Sequence, residues 1–529
     1  MKKLLFASLV TFTILFSFIF GLVMLVLILT ESIDIIFAVI LTVAISVFFW
    51  YIGPFFTDLI NRWVYKVKFV TPEELEKLHP EVAKLIRQVC EKYKFRFPKF
   101  GIIPDRNPTA FSYGSGRFNS RIVVTEGIFE FLNTKEANAV VAHELGHIVH
   151  RDFIVMMIAS TILQIIYEIY AVAIRVRDRK SGGAAKLIAL VAYVMYVIGI
   201  YLLYYLSRTR EYYADEFSAE VTSPKDLADA LVKIAYGIVV VPDDAKAKRL
   251  LESTRHLGII DVKNAKHIGV ASQMTNSDPQ VISEVMVFDK ISPWAKLIEL
   301  NSTHPLTGNR LDFLSDLSKK HGYAFSFDID GAIARLKVQK SKLYGGFFGG
   351  VFVYLLPFIL LGLSIWFLPI QFCLAAFALG LLAKVAYKFP QTAPQKTTIL
   401  DQMRNPYASP IRGAPIMLSG EVIGRGVPGY IFGEDMMFKD ATGLTFLNYN
   451  SLFGFIGNIF FALGKIKTLF SVPSEATGWF YRSMGSFVSL KTLKTEKETV
   501  KSHPIIWSLI FPILLIGGSA YWYLYVPMQ

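Results

Sequence analysis

Long apolar runs alternate with polar stretches along this chain. The first run, Leu4 to Thr30, follows two lysines and is too long for the apolar region of a signal peptide, so we expect a retained membrane anchor. A second run, Ile35 to Phe56, follows a short acidic link. Five further runs, long enough or nearly long enough to cross about 30 Å of hydrocarbon, cover 153–174, 187–206, 345–368, 371–383 and 505–526. The pattern predicts a membrane protein with about seven spans.

Basic residues near these runs indicate which ends face the cytoplasm. Lysine and arginine clusters mark the cytoplasmic side, and they follow the second run, precede the fifth and close the sixth: Arg62, Lys66 and Lys68; Arg335, Lys337, Lys340 and Lys342; Lys384 and Lys388. The link between the third and fourth runs is also basic, and Glu168 and Gln164 interrupt the third run. These two runs therefore either cross incompletely or border a polar cavity.

Composition supports a membrane protein and limits the metal chemistry. Of 529 residues, 53% are hydrophobic and only 18% are charged, so the net charge of +13 indicates anchoring at the cytoplasmic membrane face rather than nucleic-acid binding. The two cysteines, Cys90 and Cys373, are too few and too far apart for a disulfide framework or a cysteine zinc site. Any metal must therefore be bound by histidine and carboxylate.

The stretch from Asn133 to Asp152 carries the sequence His-Glu-Leu-Gly-His. We expect a helix with Thr134 as its N-cap. His143 and His147 are four residues apart, so both project from one helix face and can bind one Zn²⁺, with Glu144 placed as general base. The alternative is a chance match on an ordinary core helix, which the small number of histidines disfavours.

A third metal ligand must come from elsewhere in the chain. His150 lies two turns from His143, about 10 Å along a helix, too far to share one ion. After the fourth run, Glu211 and Asp215 are one helical turn apart, and an antiparallel helical hairpin would bring Glu211 to the depth of His147. Glu211 can then complete the site, and Asp215 can accept the N–H of a ligating histidine. The alternative is simple pairing with Arg208 and Arg210 on a solvated helix.

Four features together resemble the HtpX group of membrane zinc endopeptidases, relatives of the CAAX prenyl endopeptidase. They are the HELGH helix, the apolar hairpin, the stretch SRTREYYAD and the stretch STHPLTGNR, and the resemblance covers about residues 1–311. It implies that Glu211 is the third zinc ligand and that Asp215 supports a ligand from behind. It also implies a gluzincin-type, mainly α-helical protease domain that carries a small β-sheet.

The resemblance extends to residues that would contact substrate. Asn107, Ala110, Phe111 and Gly114 are similar to the N-x-x-A-F-x-x-G segment of the family, an edge strand that can pair with an extended peptide; an ordinary hairpin strand is the alternative. His304 and Arg310 match the family's H-P-x-x-x-x-R signature, which implies that His304 donates a hydrogen bond to the tetrahedral intermediate. Tyr212 and Tyr213 are alternative donors.

A C-terminal extension lies beyond the resemblance. Short strands are predicted at Ala414–Ile423, Met436–Lys439 and Leu444–Tyr449, and they indicate a small β-barrel similar to the OB type. Acidic residues outnumber basic ones there, so nucleic-acid binding is not expected. Ser451 to Gly464 is apolar but short, which favours a helix lying in the membrane interface over a span.

These predictions combine into one architecture, a multi-pass α-helical membrane protein. Its predicted domains are a transmembrane hairpin (1–57), a cytoplasmic zinc protease domain (58–344) that includes the helical hairpin 153–206, a second transmembrane hairpin (345–388), a β-rich OB-like module (389–503) and a last membrane helix (504–529).

We expect an endopeptidase in the cell membrane with one Zn²⁺ per chain and a cytoplasmic active site. Its partners would be the lipid bilayer and protein or peptide substrates, misfolded or membrane-associated. The alternatives are a specific processing protease of the CAAX type and a non-catalytic scaffold with a structural zinc site. The oligomeric state is left open.

Overall fold

The computed structural model describes residues 35–175, 182–240, 278–426, 433–483 and 486–525. Its helices are α1 (Ile35–Trp63), α2 (Pro72–Leu78), α3 (Pro80–Tyr93), α4 (Glu126–Phe131), α5 (Thr134–Val149), α6 (Asp152–Ala173), α7 (Gly182–Val221), α8 (Pro224–Val240), α9 (Pro279–Ile291), α10 (Pro293–Leu300), α11 (Thr307–His321), α12 (Ile329–Arg335), α13 (Lys340–Phe367), α14 (Ile370–Lys388), α15 (Ile399–Arg404), α16 (Gly454–Leu463) and α17 (Pro504–Tyr525). Its strands are β1 (Lys68–Val70), β2 (Lys99–Ile103), β3 (Ala110–Gly116), β4 (Asn119–Thr125), β5 (Gln395–Lys396), β6 (Ala414–Arg425), β7 (Met436–Asp440), β8 (Leu444–Asn448), β9 (Pro473–Arg482), β10 (Ser486–Thr495) and β11 (Thr499–Lys501).

Six helices in the described ranges are long and apolar enough to cross a membrane. They are Val39–Trp63, Asp152–Ala173, Gly183–Val221, Lys340–Phe367, Ile370–Lys388 and Pro504–Tyr525. Each coincides with a run predicted from the sequence. The remaining predicted span, Leu4 to Thr30, lies outside the described residues.

The chain divides into two compact units. In its described part, the first contains residues 35–175, 182–240 and 299–327, and the second contains 278–298 and everything from 328 onward.

The first unit contains a four-stranded sheet in the order β1-β2-β4-β3. β3 pairs antiparallel with β4 and lies at the edge of the sheet. The N-cap of helix α5 lies one residue earlier than expected: Asn133, rather than Thr134, accepts hydrogen bonds from the amides of Lys135 and Glu136 and completes a capping box with the Glu136 side chain. The sheet and α5 both carry residues of the site described below.

A close contact between α5 and α7 brings the two motif-bearing helices together. At Gly146 a Cβ atom would lie 3.1 Å from Ala214 Cα and 3.2 Å from Phe217 Cβ, so only glycine allows this approach without displacement. Between α5 and α6 the chain turns at Arg151, which has a left-handed backbone with φ of 59°. This tight corner places the first residue of α6 beside the last turns of α5.

The second unit contains membrane-length helices α13, α14 and α17 and a barrel formed by five strands. The strands pair in a closed ring, β6-β7-β8-β10-β9 and back to β6. The β8–β10 pairing is parallel, and the other four are antiparallel. Along the chain, helix α16 lies between β8 and β9, which are the third and fourth of these strands in sequence order. The three predicted strands correspond to β6, β7 and β8, whereas β9 and β10, which close the ring, were not predicted.

Candidate metal centre and active site

His143 and His147 on α5 and Glu211 on α7 meet in the interior of the first unit. Their side chains are buried, with exposed fractions of 0%, 1% and 2%. The two histidine Nε2 atoms are 3.2 Å apart, and the Glu211 carboxylate oxygens lie 3.5 Å from His147 Nε2 and 3.9 Å from His143 Nε2. This is the one group of three metal-binding side chains found among the described residues.

The spacing of these three atoms suits a tetrahedral ion. Zn–N and Zn–O bonds of about 2.0–2.1 Å at tetrahedral angles require ligand atoms about 3.3 Å apart. The observed separations of 3.2–3.9 Å are close to that value. Two imidazoles and one carboxylate are also the ligand set of catalytic zinc sites that keep a fourth position for water or substrate. The residues therefore fit a Zn²⁺ ion.

A carboxylate lies behind each of these two histidines, on the side away from Glu211. Asp215 Oδ1 lies 2.9 Å from His143 Nδ1, and Arg310 from α11 donates two hydrogen bonds, of 2.8 and 2.6 Å, to the same carboxylate. Asp152 Oδ2 lies 2.7 Å from His147 Nδ1. Such carboxylates fix which imidazole nitrogen faces a metal. Asp215 and Arg310 were singled out from the sequence, but Asp152 was not.

A buried arginine neutralises the second of these carboxylates. Arg210, which has no solvent exposure, places Nη2 3.0 Å from Asp152 Oδ2. From the sequence, Arg210 was expected only as a possible partner of Glu211 or Asp215 on a solvated helix face. Its neighbours in sequence gave no signal of this role, because the pairing depends on the corner at Arg151.

Glu144 lies on α5 next to the first ligand and is fully buried. Burial raises the pKa of its carboxyl to about 8, although the hydrogen bond from Ser112 acts in the opposite direction. Ser112 Oγ donates to Glu144 Oε2 at 2.7 Å. Ser112 was not predicted. The signal was available, however, since Ala110, Ser112 and Gly114 alternate along β3 and share one face.

A buried polar network holds β3 against the end of α1. Arg121 on β4 binds both Asp58 oxygens, at 2.8 and 2.9 Å, and Tyr113 on β3 donates to Asp58 at 2.8 Å. The Asn61 side chain in turn donates to the Tyr113 hydroxyl at 2.9 Å. The strand that carries Ser112 is thus tied to a membrane-length helix.

The remaining predicted residues are distributed around this centre. Ala110, Phe111 and Gly114 are buried in β3, and the Asn107 side chain donates to Asp105 in the preceding loop. His304 is 2% exposed, with Nδ1 2.9 Å from the Thr303 hydroxyl. The Tyr212 ring packs edge-on against Phe313.

His150 caps the C-terminal end of α5. Its ring packs against Phe217, and burial lowers its pKa to about 4. It is absent from the group of metal-binding side chains, as the helix geometry predicts.

Part of this chain is similar to known proteases. The profile of Peptidase family M48 matches residues 75–318. An HtpX homologue from Methanothermobacter thermautotrophicus is 37% identical over 169 residues, which cover 32% of this chain and 62% of that protein, less than two thirds of its length. An HtpX homologue from Aquifex aeolicus is 30% identical over 290 residues, which cover 53% of this chain and 83% of that protein. The chain belongs to the HtpX family of proteases.

Membership confirms the predicted family and the predicted enzyme class, a metalloprotease. The crystal structure of Ste24p from S. mikatae is similar over 59% of this chain and 68% of the Ste24p chain, with 16% sequence identity and a TM-score of 0.37. That likeness is partial. The match to the HtpX relatives accounts for about half of the chain, and the barrel lies outside the M48 region.

Proposed function

We propose that this chain is a membrane-embedded endopeptidase that binds one Zn²⁺ through His143, His147 and Glu211 and uses Glu144 as its general base. The observation that carries the proposal is the position of Glu144: it directly follows His143, one of the three clustered side chains, and accepts a hydrogen bond from Ser112 on the edge strand. A structural zinc site would not require a carboxylate at this position.

The proposed mechanism assigns each proton movement to a residue of this chain. Zn²⁺, when bound, supplies Lewis acidity that polarises the scissile carbonyl and makes water more acidic. Glu144 takes a proton from the attacking water and delivers it to the leaving amine. A carboxylate can serve both halves of this transfer, because it holds the proton between the two steps.

His304 and β3 would position the substrate. We assign His304 as the hydrogen-bond donor to the carbonyl oxygen, which becomes negatively charged during attack. Two features support this: His304 is buried, and Arg310, six residues further on, bonds Asp215 behind the metal ligands. An extended peptide would pair with the backbone of β3 around Ala110 and Phe111. Tyr212 remains an alternative donor.

The proposed substrates are extended or misfolded segments of membrane proteins, cut on the cytoplasmic side. Support comes from the membrane-length helices α1, α6 and α7 in the same unit as the metal ligands. Arg62, in the last turn of α1, and Lys66, shortly after that helix, favour a cytoplasmic position for the sheet and the site. The domain boundaries predicted from the sequence belong to the same proposal.

We infer that the C-terminal barrel is of the OB type. Its ring of five strands and the helix between its third and fourth strands support that assignment. The acidic residues Glu421, Glu434, Asp435 and Asp440 favour contact with protein over nucleic acid.

The test compares zinc content and cleavage of an unfolded membrane protein for the wild type, Glu144→Gln and Glu211→Ala. Glu130→Gln, an exposed carboxylate paired with Arg106, serves as the matched control. We expect Glu144→Gln to keep zinc and lose cleavage, Glu211→Ala to lose both, and Glu130→Gln to behave as wild type. Cleavage by Glu144→Gln would refute the catalytic assignment, and zinc binding without any cleavage by the wild type would favour a scaffold.

A further inference from the structure

Helix α16 and the loop before it expose a continuous apolar surface on the barrel. Phe453, Phe455, Ile456 and Phe460 have exposed fractions of 77%, 77%, 65% and 72%. Large apolar side chains with this exposure mark a binding surface. A helix of ten residues is about 15 Å long, half the thickness of the hydrocarbon, so α16 cannot cross a bilayer.

The residues just before α16 are hydrogen-bonded to the first turn of α17, a membrane-length helix, and to the residue before it. The Trp507 indole donates to the Ser451 carbonyl at 2.7 Å, and the His503 amide donates to the Asn450 carbonyl at the same distance. Gly454 has a φ of 59°, and a Cβ atom there would lie 2.7 Å from the Trp507 ring. The apolar surface therefore begins at the level where α17 begins.

A second membrane-length helix ends at the same boundary. Helices α14 and α17 pack antiparallel, and the Ser519 hydroxyl near the end of α17 bonds the Gln371 carbonyl at the start of α14. The end of α14 therefore lies level with the start of α17. At that level the barrel makes two further hydrogen bonds. Tyr481 donates to the Lys388 carbonyl at 2.7 Å, and Trp479 donates to the Pro390 carbonyl at 2.8 Å.

The opposite face of α16 packs on the barrel through the buried Phe461, whose ring stacks on Tyr449, and through hydrogen bonds. Asn458 accepts from the Ser451 amide at 2.8 Å and donates to Glu434 at 2.9 Å, and Arg425 donates to the Ala462 carbonyl. Lys465 and Lys467, both exposed, follow α16 directly. Lys465 pairs with Glu498 at 2.7 Å. An exposed apolar face on a helix too short to cross the bilayer, with lysines directly after it, is typical of a segment that lies in a membrane interface.

We propose that residues 452–463 insert into the lipid interface and hold the barrel against the membrane. Phe453, Phe455, Ile456 and Phe460 lie among the upper acyl chains, and Lys465 and Lys467 lie at the level of the phosphates. The occupant of the surface is lipid rather than a protein partner, because the surface is continuous with the start of α17 and level with the end of α14.

Fluorescence quenching tests this placement in the full-length chain. In a background with Cys90→Ala and Cys373→Ala, single cysteines are introduced as Phe455→Cys and Phe460→Cys and labelled with an environment-sensitive dye. Ala441→Cys is the matched control, because Ala441 is exposed and lies in the β7–β8 turn, at the far end of that hairpin from α16. The proteins are reconstituted into vesicles of phosphatidylcholine and phosphatidylglycerol that contain lipid with a doxyl quencher high on its acyl chain.

We expect the quencher to remove more than half of the fluorescence at positions 455 and 460 and less than a tenth at 441. Equal quenching at all three positions would overturn the proposal. It would also be overturned if the dye at position 455 were shielded from aqueous iodide but not quenched by the lipid quencher, because a protein would then cover the surface.

A second measurement needs no label. The double variant Phe455→Ser with Phe460→Ser replaces exposed side chains, so the barrel should still fold. In the same vesicles we expect trypsin to cut after Lys465 and Lys467 at least five times faster than in the wild type, because α16 leaves the interface. An unchanged rate overturns the proposal.

Discussion

Asp152 Oδ2 lies 2.7 Å from His147 Nδ1, which joins the first residue of a membrane-length helix to one of the three side chains that could bind a metal ion. The Asp152→Asn variant should therefore weaken zinc binding by about 10- to 100-fold, because the imidazole loses the charged acceptor that orients it. Competition with a chromophoric chelator measures the affinity. Asp229→Asn, which removes a carboxylate that pairs with Lys225 on α8, should bind zinc as the wild type does. Equal affinity for the Asp152 variant and the wild type would show that the contact does not act on the metal.

Ser112→Ala should slow catalysis without releasing zinc. The variant removes the hydrogen bond that fixes the Glu144 carboxylate, and we expect kcat to fall about tenfold, equivalent to about 1.4 kcal/mol. Steady-state kinetics and metal analysis on the same preparation separate the two effects. Ser115→Ala is the control on the same strand, since that hydroxyl donates to the Trp50 carbonyl. Similar losses in both variants would indicate damage to β3 rather than to Glu144.

Gly146→Ala should destabilise the first unit. The added methyl group would lie 3.1 Å from Ala214 Cα and force α5 and α7 apart, at a cost of about 1–3 kcal/mol. That cost exceeds the gain of about 1 kcal/mol from replacing glycine in a helix. Thermal unfolding in detergent measures the effect. At Gly345 in α13 a Cβ atom meets open space, so Gly345→Ala should not lower the midpoint. A midpoint for Gly146→Ala at or above the wild-type value would contradict the close contact.

The barrel should become more stable as the pH falls from 7 towards 4. Burial raises the pKa of Asp435 to about 6, so the folded state binds the proton more tightly than the unfolded state, whose carboxyl has its ordinary pKa near 4. The free energy of unfolding of the barrel is therefore lowest above pH 6 and rises as the pH falls from about 6 to about 4. Asp435→Asn keeps an acceptor for the Tyr449 amide, and it should raise the unfolding midpoint at pH 7.5 but have little effect at pH 4.5. An equal effect at both pH values would rule out this titration.

The parts of the site that follow from local periodicity could be predicted from sequence. The four-residue spacing places His143 and His147 on one face of a helix, and the similar lengths of the two apolar runs bring Glu211 to them. Asp152 could not be predicted in the same way. A carboxylate at the start of a helix is common, and its contact with His147 depends on a left-handed turn at Arg151, a residue type that gives no warning of that conformation.

The barrel was predicted only as far as its local hairpin. β7 and β8 are joined by a tight turn that the sequence signals, and β6 precedes them with alternating side chains. β9 and β10 form a second local hairpin, which was not predicted. The ring closes where these two strands pair with β6 and β8, which lie far away in sequence on the other side of the apolar helix α16. Such non-local pairing leaves no mark in a local pattern.

Closure of the ring also affects whether extended substrate chains could pair with the strands of the barrel. A strand at an open edge presents unpaired amides and carbonyls, which recruit any extended chain nearby and promote aggregation. In the barrel, each of the five ring strands has a neighbour on both sides. The module is therefore a poor template for the unfolded segments that the enzyme would handle, and none of its ring strands can be drawn out as substrate without first breaking the circle of hydrogen bonds.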